Sequence, residues 1–233
     1  MNFKILTLFP EMYPGPLQYS IIGRALKNKN FSLTTINIRN FSKKKSRSVD
    51  NKPFGGGAGM VIQPDILQAS LNFAKKSLSK RSKIIYLSPS GIPLKQKTVK
   101  KITSFEDVVL ICGRYEGVDQ RFIEHNDIEE ISVGDYVLTG GEFASFILID
   151  ACVRLIPEVL GNNESLNSES FQNYLLEYPQ YTKPLLWKKM RPPDVLLSGN
   201  HKNISDWRLK KSLEKTKKIR PDLYSKYKMR KKR

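Results

Sequence analysis

The chain has 233 residues, 39 % apolar, 10 % aromatic and 27 % charged, enough to bury a core without help from disulfides or metals. Its net charge of +18 is unevenly placed: residues 1–101 carry +16, 102–182 carry −12 and 183–233 carry +14. Two cysteines and a longest apolar run of only Phe143 to Ile149, broken by Ser145, exclude a disulfide scaffold and a membrane span.

Residues 2–9 read as a buried strand that stops at Pro10, too short an apolar stretch for a signal-peptide core, so a soluble cytoplasmic protein is expected. Helical spacing of Leu17, Ile21, Ile22 and Leu26 predicts a helix over 17–27, and 31–38 alternate as a strand. A basic loop, 42–52, leads to the cluster Gly55-Gly56-Gly57-Ala58-Gly59. A helix over 64–79, a strand at 83–88, a short helix at 94–103 and a strand at 107–112 follow. Next come a helix near 118–125, a strand at 128–133 and a strongly apolar helix, 142–156, ended by Pro157. This alternation predicts an α/β fold, a parallel sheet covered by helices on both faces. Residues 161–170 have linker composition, and the remainder, with Pro221 opening a last helix, shows no clear strand. The expected division is an α/β domain over 1–160, a linker over 161–172 and a small all-helical domain over 173–233.

Basic ends around an acidic centre suit a polyanion at the flanks and other chemistry in the middle. Cys112 and Cys152 lie in apolar runs, and with only His125 and His201 there is no zinc-ligand spacing. The Gly55–Gly59 cluster lacks the lysine and the spacing of nucleotide-binding loops, and reads as a turn beside Lys43, Lys44, Lys45 and Arg47. Three other glycine-bearing loops each follow a predicted strand: 87–91, 113–117 and 133–141. Ligands of open parallel sheets bind outside the carboxyl ends of strands, and glycines let backbone groups come close. The three loops are therefore expected to form one pocket, suited by its acidic surroundings to a neutral or cationic small molecule. In helix 142–156, Glu142, Ser145, Asp150 and Arg154 are expected on one side, and Asp150 and Arg154 have ion-pair spacing. Arg154 is the only lysine or arginine between Arg121 and Lys183. The breadth of that helix's apolar face suggests a second packing surface, such as another subunit.

The segments LFPEM (8–12), GGGAGM (55–60), YLSPSG (86–91), CGRYEGVD (112–119), SVGDYVLTGGE (132–142), VLGN (159–162), YPQYTKP (178–184) and LLSGNH (196–201) resemble the bacterial tRNA (guanine-N1)-methyltransferase family. That family belongs to the SPOUT class of knotted methyltransferases, and the likeness runs from about residue 3 to about 223. It implies S-adenosylmethionine as donor, a trefoil knot and a homodimer with its active site at the subunit interface. Adenine and ribose would meet backbone groups of Val133, Gly134, Asp135, Tyr136, Val137 and Leu138, and of Leu87 and Gly113. Tyr86, Ser88, Pro89, Tyr115, Glu116, Gly140 and Gly141 would shape the rest of the pocket. The implied reaction methylates N1 of the guanosine just 3′ of the anticodon, which guards against frameshifting. N1 carries a proton that a base must remove, and the charge then grows on O6, where Arg154 would stabilise it. A response to Mg²⁺ is also implied, with no dedicated protein site.

The resemblance places the general base in the linker, at an aspartate; here the matching stretch is Ser168-Glu169-Ser170-Phe171, so the carboxylate belongs to Glu169. Two alternatives stay open: a related knotted enzyme acting elsewhere on RNA, and a non-catalytic RNA-binding relative. In either enzyme reading the C-terminal region would recognise tRNA, with Lys183, Lys188, Lys189, Arg191, Arg208, Lys210, Lys211 and Trp207 as the contact residues.

Overall fold

The computed structural model of the chain describes residues 1–161 and 169–231. It divides into two compact units, Met1–Gly161 and Asn162–Arg233. Most of the expected linker, 162–168, lies outside the described residues.

The first unit contains, in chain order, β1 (Asn2–Thr7), α1 (Ser20–Lys27), β2 (Ser32–Asn37), β3 (Asp50–Asn51), β4 (Val61–Ile62), α2 (Pro64–Lys75) and β5 (Ser82–Pro93). It continues with α3 (Gln96–Ile102), β6 (Asp107–Cys112), α4 (Gln120–His125), β7 (Glu129–Ser132) and α5 (Gly141–Val153). Five strands form one sheet in the order β2-β1-β6-β5-β7, and every pairing in it is parallel. The predicted fold class is therefore what the chain adopts.

β6 sits at the centre and all six of its residues are buried. Its pleat divides the core in two. Val108, Leu110 and Cys112 pack with α1, α3 and α5 on one face, whereas Val109 and Ile111 pack with α2 and α4 on the other. Helices on both faces explain why the central strand β6 reads as a continuous apolar run, whereas the edge strand β2 alternates.

Several elements differ from the sequence reading: α1 starts at Ser20 rather than 17, α2 ends at Lys75 rather than 79, and β3 and β4 form where no strand was expected. The loop expected at 87–91 is an irregular stretch within β5, which pairs with β7 on both sides of it: Leu87 with Ile131, then Ile92 also with Ile131. Pro89 has no N–H to give to a ladder, and a Cβ on Gly91 would lie 2.5 Å from the Glu130 carbonyl carbon, so the chain arches out and returns. Helix α5 ends at Val153, not 156, with Arg154 as its C-cap. Leu155 and Ile156 continue in a tighter turn, donating to the carbonyls three residues back at 3.0 Å each.

The C-terminal unit contributes α6 (His201–Ile219) and α7 (Pro221–Lys231). Asn200 caps α6 by accepting from the Asn203 N–H at 3.1 Å, after Gly199 turns the chain with φ of +70°. This unit is not helical throughout, contrary to the all-helical domain expected over 173–233. Residues 175–200 are mainly irregular, because Pro179, Pro184, Pro192 and Pro193 deny the backbone the donors a helix needs. No helix among the described residues is long and apolar enough to cross a membrane.

Candidate functional site

The irregular middle of β5 and the carboxyl ends of β6 and β7 open onto one cleft of ≈ 300 Å³. The three expected loops converge there. Tyr86, Leu87, Ser88 and Pro89 line it from β5, Gly113, Tyr115 and Glu116 from beyond β6, and Val133, Gly134, Tyr136, Val137 and Leu138 from beyond β7. Gly140 and Gly141, at the start of α5, close it. Asp135 lies in the same loop but is exposed and is not a lining residue. Ser90, Arg114, Gly117 and Thr139, members of the same three loops, also line the wall, and Ile131, Ser132 and Ala144 join it from outside them.

Close backbone approach sets the shape of this cleft. The Gly141 N–H donates to the Gly113 carbonyl at 3.0 Å, and a Cβ at Gly141 would come within 2.7 Å of the Cys112 Cα. Helix α5 therefore starts directly on the end of β6. The Gly55–Gly59 cluster, read as a plain turn, also belongs to the wall's support. β3 and β4 pair around it, the Glu116 N–H donates to the Met60 carbonyl at 2.9 Å, and the Ile62 N–H to that of Gly117 at 3.0 Å. Gly59 meets the Glu116 side chain, where a Cβ would lie 2.5 Å from Glu116 Oε1.

Arg114 ties the cleft to the start of the chain. Its Nε donates to Glu142 Oε2 at 2.9 Å and Nη1 to the Thr139 carbonyl at 3.2 Å, while its guanidinium lies 4.4 Å from the Phe9 ring centroid. Glu142 is fully buried and takes a second hydrogen bond, from Thr7 Oγ1 at 2.7 Å. Nearby, Tyr13 shares hydrogen bonds with Ser145 and Cys112. The LFPEM segment is thus explained by Phe9 and Met12, both against Arg114. A pair 28 residues apart, on different elements, has no spacing signature, which is why sequence reading passed over it.

Burial holds the neighbouring acids in their neutral forms. It pushes the Cys112 thiol up to about 12, with the Glu142 carboxylate adding to the effect, and the Tyr86 hydroxyl up to about 12. The Tyr13 hydroxyl is raised by the same cause. None of these groups is poised to take a proton near neutral pH, which leaves carboxylates for that work. Among the described residues no group of three or more His, Cys, Asp or Glu could hold a metal ion.

Of the side chains expected on α5, Glu142 and Ser145 are buried whereas Asp150 is exposed, so the four do not share one environment. Arg154 is half-buried at the helix end, and its N–H donates to the Asp150 carbonyl at 3.2 Å. Glu169 is half-buried at the start of the described C-terminal residues, with its carbonyl accepting from the Gln172 N–H at 3.2 Å.

In the C-terminal unit, Lys183, Lys188, Lys189, Arg191, Arg208 and Lys210 are exposed, whereas Lys211 and Trp207 are half-buried. Lys211 pairs with Glu214 at 2.7 Å. Lys183, Trp207 and Arg208 share a second cavity.

Residues 1–226 match a family profile described as tRNA (Guanine-1)-methyltransferase TrmD. The chain is 49 % identical over 224 residues to the tRNA (guanine-N(1)-)-methyltransferase of Ehrlichia canis, covering 96 % of this chain and 95 % of that one. It is 48 % identical to the protein of the same name from Pelagibacter ubique, covering 97 % of each. To that from Wolbachia pipientis wMel it is 49 % identical, covering 96 % and 95 %.

Proposed function

The chain belongs to the tRNA (guanine-1)-methyltransferase family, and on that premise we propose that it transfers a methyl group from S-adenosylmethionine to N1 of the guanosine immediately 3′ of the anticodon. Family membership makes the protein a methyltransferase acting on a guanine of tRNA. The position, the donor and the residue roles are our proposal.

The observation that carries it is the strand-end cleft, whose glycines bring backbone within reach of a bent adenosyl donor. The residues present suit such a donor. A sulfonium cation would be repelled by an unmatched guanidinium, but Arg114 is matched by buried Glu142, and the Glu116 side chain also lines the wall. When bound, S-adenosylmethionine supplies an electrophilic methyl group. Backbone groups of Leu87, Gly113 and Val133 to Leu138 hold adenine and ribose, with Asp135 contributing only its main chain. Tyr86, Ser88, Pro89, Tyr115, Glu116, Gly140 and Gly141 fix the remainder. Glu169 takes the proton from guanine N1 and Arg154 stabilises the charge that grows on O6. Magnesium enters through the RNA or the developing charge rather than through a set of protein ligands.

A homodimer with its active site at the interface belongs to the same reading. Its support is the outer stripe of α5, where Phe143 and Ile147 lie one turn apart and are 51 % and 44 % exposed. A trefoil-knotted path and a cytoplasmic location, where both free cysteines stay reduced, complete it.

Mapping the label that tRNA transcripts gain from methyl-labelled donor tests the assignment. Label at N1 of that guanosine is expected; label elsewhere assigns the enzyme to another RNA position, and tRNA binding with no transfer leaves a non-catalytic relative. Glu169→Gln is expected to slow single-turnover transfer by about 10²- to 10⁴-fold with tRNA affinity unchanged. Transfer at the unaltered rate would remove Glu169 from the role.

A further inference from the structure

The C-terminal unit holds its own cavity, ≈ 450 Å³, between the proline-rich stretch 178–197 and α6. That volume falls in the range of about 300–1,000 Å³ typical of small-molecule sites. Three aromatic rings line it, those of Tyr178, Tyr181 and Trp207. The Tyr181 and Trp207 centroids are 6.3 Å apart and tilted by 58°, so neither ring covers the other's face. Tyr181 remains 51 % exposed. The Arg208 guanidinium lies 5.0 Å from the Tyr178 ring centroid, and Lys183 supplies a second cation. No acidic residue lines the cavity.

Open aromatic faces are stacking platforms, and cations beside them select a flat ring that carries negative charge. An acidic peptide would match the two cations without bringing a flat ring attached to the same anionic group, and an anionic lipid has no flat ring to stack. The combination of rings and cations is that of a nucleotide. We propose that this cavity takes one unpaired nucleotide of the RNA substrate, its base against the Tyr178, Tyr181 and Trp207 rings and its phosphate on Lys183 and Arg208. This subsite rests on the reading that the substrate is tRNA. It adds that the C-terminal unit recognises an unstacked base, which phosphate contacts alone would not do.

Trp207 provides the readout. In the full chain carrying Trp187→Phe it is the only tryptophan, because the sequence has two. Titration with a tRNA transcript is expected to change Trp207 emission, and a blunt, fully paired RNA duplex is expected to leave it unchanged. Tyr181→Ala should weaken tRNA binding by about tenfold while leaving duplex binding as it was, and Tyr181→Phe should restore it. Donor binding, followed by calorimetry with S-adenosylmethionine, should be equal in all variants and serves as the folding control.

Equal emission changes with tRNA and duplex would overturn the proposal in favour of backbone contact. Tight tRNA binding with no change would show that the cavity is not used. An emission change that depends on protein concentration without RNA would show a second chain seated there, and would equally overturn it. Failure of the methyltransferase reading is separate: the unaltered chain would then transfer no methyl group to tRNA.

Discussion

Glu142 has a carboxylate from which solvent is excluded, yet each of its oxygens has a partner: Thr7 on one, Arg114 on the other. A buried ion is tolerated only with this degree of pairing, and removing one member leaves the other charge stranded. Glu142→Gln keeps the acceptor for Thr7 but leaves the largely buried Arg114 guanidinium without its counter-charge. The expected cost is about 3 kcal/mol of folding stability in urea denaturation. The Thr139 carbonyl is held by the same guanidinium, so donor affinity should fall with stability. A change under about 0.5 kcal/mol would place the pair among surface contacts that matter little.

At the scale of elements, the hairpin at Trp187 and Met190 stands out because two lysines fill its turn. Trp187 and Met190 exchange both backbone hydrogen bonds, at 3.0 and 2.9 Å, across Lys188 (φ +47°) and Lys189 (φ +64°). Such a turn favours Asn-Gly, since a side chain in the left-handed region costs roughly 1–2 kcal/mol per residue. Strained lysines at an exposed tip point to a task for their charges. Replacing the pair by Lys188→Asn and Lys189→Gly should raise stability by about 1–2 kcal/mol in thermal denaturation. It should also weaken tRNA binding and reduce the salt slope of that binding by about 2. An unchanged slope would show that neither lysine meets a phosphate.

Elements were legible in the sequence where burial was continuous. The run Asp107–Cys112 is β6 residue for residue, and the loops after β6 and β7 lie at the cleft where the strand-end rule puts them. β3 and β4 were not, because a two-residue ladder has no period to detect. The glycine cluster is the turn that was read from it, but its link to the cleft through Gly59 was not legible. Its partner, the 113–117 loop, lies more than fifty residues away, and nothing local in the sequence links Gly59 to Glu116. The end of α5 was placed three residues too far on, since Pro157 limits a helix without fixing where its last α-helical hydrogen bond falls.

For the whole molecule, α5 is the element on which the proposed homodimer rests. Most of its side chains are buried, whereas Phe143 and Ile147 face outward one turn apart. In the homodimer these two would be covered. Ile147→Glu puts a charge into that stripe and is expected to yield monomers by light scattering, with methyl transfer lost and the helical signal in circular dichroism retained. A dimer that persists with this substitution would place the interface elsewhere.

The strand order has a consequence for how the chain comes off the ribosome. β1 pairs with β2 on one side, but its other neighbour, β6, begins about seventy residues after β2 ends. Counted from the end of β1, β6 begins about a hundred residues later, so at the usual pace of about 5–20 residues per second one edge of the first strand to emerge waits roughly 5–20 s for its partner. During that interval a row of peptide groups and the apolar side chains Phe3, Ile5 and Leu6 stand open to other nascent chains. Of the elements that wall the cleft, only β7 and α5 are made after that central seam, so the cleft takes shape at the end of the domain's synthesis.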